Sequence, residues 1–177
     1  MTQPTSVFFG PDGTSFDGES KVYLRTLLYS SAKRGYVLES LHLSLQRNET
    51  KQNFNIWVYG EKGNLDRGSG LFVPQEGVTF AHHFLLPADG AAFSFLSGSY
   101  VLSVFAKGVG QRVPIKLMNI QLSINDSQAK ELSEPHTGIF FDWSPDQQIY
   151  HSHVQSRIGK KTDMEKFLKI IGEQQVE

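Results

Sequence analysis

Near the end of the chain the sequence runs Ile149-Tyr150-His151-Ser152-His153-Val154. Two imidazoles spaced i, i+2 fall on one face of a β-strand, about 6–7 Å apart at the ordinary rise per residue. Neutral imidazole is a ready ligand for zinc or another divalent metal, provided that a third protein ligand completes the set. Asp142 is the carboxylate nominated, and Asp146 and His136 are also close enough in sequence to supply the ligand. A site on His151, His153 and Asp142 makes the chain a metal-dependent enzyme or a metal-assisted ligand binder. The alternative is that both histidines face solvent, because Tyr150 and Val154 on the opposite face are the better core residues.

The other histidines carry less chemistry. His82 and His83 are adjacent, so on a strand their rings point to opposite faces. His82 aligns with Phe80, Phe84 and Leu86 and reads as a hydrogen-bonded, partly buried histidine; His42 aligns with Ser40 and Ser44 and reads as exposed. Asp12, Asp17 and Glu19 cluster among glycines, but not at the spacing of a calcium-binding loop. No G-x-S-x-G, P-loop or G-x-G-x-x-G pattern occurs. There is no cysteine, which removes disulfides, thiolate metal sites and cysteine nucleophiles. No catalytic residue is nominated, and no cofactor is expected other than the alternative of zinc or a similar divalent metal.

These side chains sit in a chain of 177 residues, one domain's worth. A formal net charge of −1 lacks the basic excess of a nucleic-acid binder, so no nucleic-acid partner is expected. No window approaches the ~20 apolar residues of a membrane-spanning helix. MTQPTSVFFGPDG at the N-terminus has no signal-peptide character. The expectation is a soluble, cytoplasmic protein with no membrane partner.

Period-2 alternation dominates up to residue 125, and helical periodicity hardly appears there. Candidate strands are 21–29, 36–46, 54–59, 70–73, 78–86, 100–106 and 113–124, separated by proline- and glycine-containing turns. Short strands joined by short loops without helices pair antiparallel, and at this length they pack as two sheets. The expected fold is an all-β antiparallel sandwich, immunoglobulin-like or jelly-roll-like, of roughly eight or nine strands with one C-terminal helix. In 113–124 the apolar positions switch from odd (Val113, Ile115, Leu117) to even (Met118, Ile120, Leu122, Ile124). One extra residue near Leu117–Met118, a β-bulge, keeps both sets facing the core.

The run Phe95-Leu96-Ser97-Gly98-Ser99-Tyr100-Val101-Leu102-Ser103-Val104-Phe105-Ala106 resembles a late strand of many immunoglobulin-like sandwiches, in which a glycine turn precedes a tyrosine and alternating aliphatics. The resemblance covers about a dozen positions. It implies a fold and no activity.

Several strands are apolar on both faces. Phe54, Ile56 and Val58 share one side while Trp57 and Tyr59 share the other. Such a strand is either covered by another segment or subunit, or it presents an aromatic platform. Trp57, Tyr59 and Trp143 are therefore candidate ligand or interface residues, and a carbohydrate is the ligand such platforms suit. Beyond residue 135, segments 138–143 and 149–154 read as two short strands or as an extended arm over the sandwich, spanning about 136–156 within a domain of 1–156. A capping box at Thr162-Asp163-Met164-Glu165 opens an amphipathic helix over 160–175, with Met164, Phe167, Leu168 and Ile171 on one stripe. Phe167 and Leu168 are the interface candidates there, and a homodimer is one outcome of docking them on a second copy. Five cations from Arg157 to Lys169 read as a solvated helix face. The function expected overall is a non-catalytic binding or assembly module whose partner is another protein or a second copy.

Overall fold

The computed structural model describes residues 1–12, 20–61, 64–87 and 93–156. The 160–175 helix with Phe167 and Leu168, the basic stretch, and Asp17 and Glu19 of the acidic cluster lie outside these residues. Twelve strands and one helix are present among the described residues. They are β1 (Ser6–Pro11), β2 (Ser20–Leu28), β3 (Tyr36–Arg47), β4 (Thr50–Phe54), β5 (Ile56–Glu61), β6 (Asn64–Arg67), β7 (Leu71–Val73), β8 (Val78–Leu85), β9 (Gly98–Gly108), β10 (Ile115–Ile124), α1 (Asp126–Leu132), β11 (Thr137–Ser144) and β12 (Ile149–Ser156).

The strands form two antiparallel sheets packed together as a β-sandwich. The larger sheet has the order β12-β11-β1-β2-β8-β5-β6; the smaller has the order β10-β9-β3-β4, with β7 pairing to the start of β3. Alternation decides what each strand buries. On β9, Tyr100, Leu102, Val104 and Ala106 point inward and are at most 2% exposed, while Val101 points outward. The facing layer comes from Val7, Phe9, Val22, Leu24, Phe84, Ile139 and Phe141 of the larger sheet. Each such large side chain contributes roughly 1.5–3 kcal/mol when fully buried.

The strand count exceeds the eight or nine expected, for two reasons. Thr50–Phe54 and Asn64–Arg67 are short edge strands with polar sequences, which period-2 alternation does not flag. The third addition, β1, lies in the middle of the larger sheet and is buried on both faces, so Val7-Phe8-Phe9 shows no alternation. Phe9 packs inward against Phe95 and Phe141 at ring distances of 4.9 and 5.1 Å. Phe8 lies on the outer face, its ring over Gly10 and Gly138. A Cβ on Gly138 would come within 2.2 Å of that ring and one on Gly10 within 2.5 Å, so the absence of a side chain at both positions is what seats it.

Segment 137–156 is no separate arm. β11 pairs with β1 and β12 extends the sheet beyond it. The expected bulge occurs where the apolar phase switches: the β9–β10 register shifts between Lys116 and Met118, leaving Leu117 unopposed. Leu117 and Met118 then both pack at the rim of the core. The earlier odd positions do not reach it, and Ile115 and Val113 are 49% and 71% exposed. Residues 126–132 form a short helix where only a loop or single turn was expected. Asn125 caps it, accepting from the Gln128 amide while the Gln128 side chain bonds back to the Asn125 amide.

Candidate functional site

The β11–β12 hairpin carries the histidine pair. Its register sets His151 opposite Asp142 and His153 opposite Phe140. By alternation these four side chains share the outer face of the larger sheet, while Tyr150 and Val154 face inward. His153 stacks on Phe140 at 5.4 Å, and its Nδ1 lies 3.3 Å from the Asp142 carboxylate. His151 turns the other way, its Nε2 lying 3.0 Å from the Gln147 side-chain oxygen. Asp146, the other carboxylate considered, accepts from the Ser144 hydroxyl, which holds its pKa below the usual carboxylate value. Among the described residues no group of three or more His, Asp or Glu side chains is placed to hold a metal ion. Asp142 and His153 are brought together; His151 shares their face but not their contact.

Of the two readings open for Trp57 and Tyr59, a covered strand or an accessible platform, the structure shows the covered one. Trp57 faces the interior and is 3% exposed, its ring lying where a Gly68 side chain would stand. Tyr59 stacks on it at 4.6 Å, half-buried, and donates its hydroxyl to the Gly70 carbonyl. The Trp57 indole N–H donates to Nδ1 of His82, which is fully buried. The neutral ring then carries its proton on Nε2, an atom with no hydrogen-bond partner among the described residues. Burial, and secondarily the neighbouring His83, push the His82 pKa down to about 4. His83 faces the other side of the sheet and is also pushed down to about 4, first by burial and then by Lys21, against the opposing effect of Asp12. His42 is not simply solvated either: its ring stacks on Phe105 at 4.9 Å, and burial, followed by Lys51, lowers its pKa.

Trp143 is the nominated aromatic that does line a cavity. A cleft of about 590 Å³ separates the β9–β10 side of the smaller sheet from the β11–β12 side of the larger one. Trp143 and Tyr150 form one wall, their rings 5.0 Å apart. The Tyr150 hydroxyl donates to the Pro4 carbonyl and accepts from the Gln3 amide. Burial pushes its pKa up to about 12, with the Gln3 bond opposing, so the phenol stays neutral. The opposite wall is β10, the edge strand of the smaller sheet, of which residues 119–123 touch the cleft. Gln121 and Gln148 add amides, and Phe141 and Leu122 add apolar floor. Among the described residues, no Asp, Glu, His, Lys or Arg lines this space.

Sequence reading reached Trp143 but missed its neighbours. Gln3, Asn119, Gln121 and Gln148 are ordinary polar residues in unremarkable contexts, and only the approach of two distant sheet edges joins them. The one signal available was the uncharged run Asn119-Ile120-Gln121-Leu122-Ser123-Ile124.

No helix among the described residues is long and apolar enough to cross a membrane. Comparison with protein-family models, with characterised proteins and with solved structures finds no match to this chain.

Proposed function

We propose that the chain is a non-catalytic binding module that takes an uncharged ligand in the cleft between β10 and the β11–β12 hairpin. The observation that carries this reading is the lining: aromatic, amide and hydroxyl groups with no acid, base or cation among them. At about 590 Å³ the space falls within the ~300–1,000 Å³ of ordinary ligand pockets. A lining of this kind can orient a molecule by stacking and hydrogen bonds, but it offers no general base or acid to drive a reaction. The test is a screen of uncharged fragments by ¹H–¹⁵N NMR. Shifts are expected at the Trp143 indole and at the Gln121 and Gln148 amides, and Trp143→Ala should weaken the hits by about tenfold, the effect of losing one stacking wall. Hits confined to other surfaces, or no hits at all, remove the cleft from consideration.

Two narrower readings have specific support. A carbohydrate ligand rests on Trp143 alone, now that Trp57 and Tyr59 are interior. Metal assistance rests on the 3.3 Å approach of His153 to Asp142, and requires His151 to leave Gln147. Calorimetric titration with zinc, repeated on His153→Ala, decides the latter. The immunoglobulin-like variant of the sandwich draws on one local bond, Tyr100 hydroxyl to Leu96 carbonyl at 2.6 Å, which is the bond of a tyrosine corner.

A further inference from the structure

We infer that the ligand is an uncharged, extended segment of another protein, which adds as a strand to the outer edge of β10; the inference rests on the cleft being the binding site. Sheet edges offer unpaired N–H and C=O groups, and proteins guard them with charge, proline, bulges or shortness. Of the four strands that end the two sheets, β12 carries no fixed charge and no proline, and two are guarded. β4 has five residues and carries Lys51, and β6 has four and carries Asp66 and Arg67. For β10 the devices sit at its start: Pro114 just before it, then Lys116 and the bulge at Leu117. Residues 119–124 have none: they pair regularly with β9 and contain no charge and no proline. This unguarded stretch is the one that runs along the cleft.

Several of the cleft's polar side chains are already engaged, while the Gln121 and Gln148 amides are left to hold a backbone or side-chain amide of the segment. Asn119 accepts from Ser103, Ser152 accepts from Gln128, Tyr150 is engaged with Gln3 and Pro4, and Tyr100 donates to Leu96. Among the described residues nothing pairs with the far side of β10, so its main chain retains the hydrogen-bonding capacity that a strand addition uses. Alternate side chains of the added segment would face the Trp143 side of the cleft on one face and lie beside Asn119, Gln121 and Ser123 on the other. A charged residue there would be desolvated with no counter-charge within the lining. A second copy fits less well than a free segment, because its β10 arrives flanked by β9 and faced by its own hairpin wall.

The experiment selects octapeptides from a random phage-displayed library on the full-length folded chain, then uses the enriched sequence as a synthetic peptide. The expected peptide has no charge in its central positions and slows hydrogen exchange at amides 119–124 by about tenfold or more. Gln121→Lys places a guard charge at an exposed position of β10 and should weaken binding by about tenfold while the chain stays folded. Ser123→Lys serves the same purpose should the first variant unfold. Four results overturn the inference: no enriched peptide, a charged consensus, protection located elsewhere, or binding indifferent to both variants. Protection of β10 that grows with concentration of the protein alone would assign the edge to a second copy instead. If uncharged fragments or neutral oligosaccharides occupy the cleft while no peptide protects β10, strand addition fails and the binding reading survives. If nothing occupies the cleft, both fail.

Discussion

Inside the core, the Trp57 indole N–H points at a histidine that cannot easily accept a second proton. His82 has a folded pKa of about 4 against an ordinary 6.5, the cause being burial first and His83 second. Below pH ~6.5 the unfolded chain binds a proton at this position that the folded chain refuses until pH ~4. The stability due to neutral His82 is therefore complete above pH ~6.5 and declines as the pH falls towards 4, by about 3 kcal/mol in all. His82→Gln keeps an acceptor for Trp57 and removes the titration. Urea unfolding at pH 7 and pH 4.5 should show a smaller loss for the variant than for the wild type, with His83 and His42 contributing to the slope that remains. Equal losses would mean that His82 does not set the acid sensitivity. The sequence placed His82 correctly among Phe80 and Phe84 but could not supply Trp57, 25 positions away. The same limit governs the histidine pair. That His151 and His153 share a face follows from strand period, whereas the turning of one to Asp142 and the other to Gln147 is a matter of rotamer and cross-strand neighbour.

Strand β10 was the most legible element in its irregularity and the least in its role. A switch of apolar phase within one strand demands an extra residue, and Leu117 is that residue. Because Lys116 pairs with Phe105 and Met118 with Val104, deleting Leu117 leaves the pairing on both sides unchanged. The deletion variant should fold and lose about 1–2 kcal/mol, less than the full value of a buried leucine, since Leu117 is only half-buried. Deleting Gln121 instead shifts one half of the strand by a residue and turns either Ile120 or the pair Leu122 and Ile124 out of the core. That variant should not fold. Circular dichroism and urea titration of the two deletions compare them directly, and similar losses would contradict the bulge assignment. Strand β1 escaped notice because the rule that reveals half-buried strands says nothing about a strand buried on both sides.

At the scale of the whole molecule, the fold class was readable and the strand order was not. Absence of helical periodicity and the recurrence of turns lead to a sandwich, but nothing local says that Ser6–Pro11 lies between β2 and β11. Ser6 pairs with both Arg25 and Asp142, and the second partner is 136 positions away (142 − 6). Such pairings make closure slow, and folding is expected in the millisecond-to-second range typical of β-sandwiches. Stopped-flow fluorescence can follow this through Trp57, whose burial accompanies closure of the core; a microsecond phase carrying the full amplitude would contradict it.

The same placement of β1 has a consequence during synthesis. The strand V-F-F finds β2 soon after it leaves the ribosome, but its other neighbour, β11, is more than a hundred residues behind. At ordinary elongation rates that gap lasts on the order of ten seconds. Throughout it, one edge of an almost wholly apolar strand has no mate within its own chain, and Phe8 has no Gly138 to lie on. Every newborn copy must pass through this interval, so crowding among nascent chains is a hazard that this topology builds in.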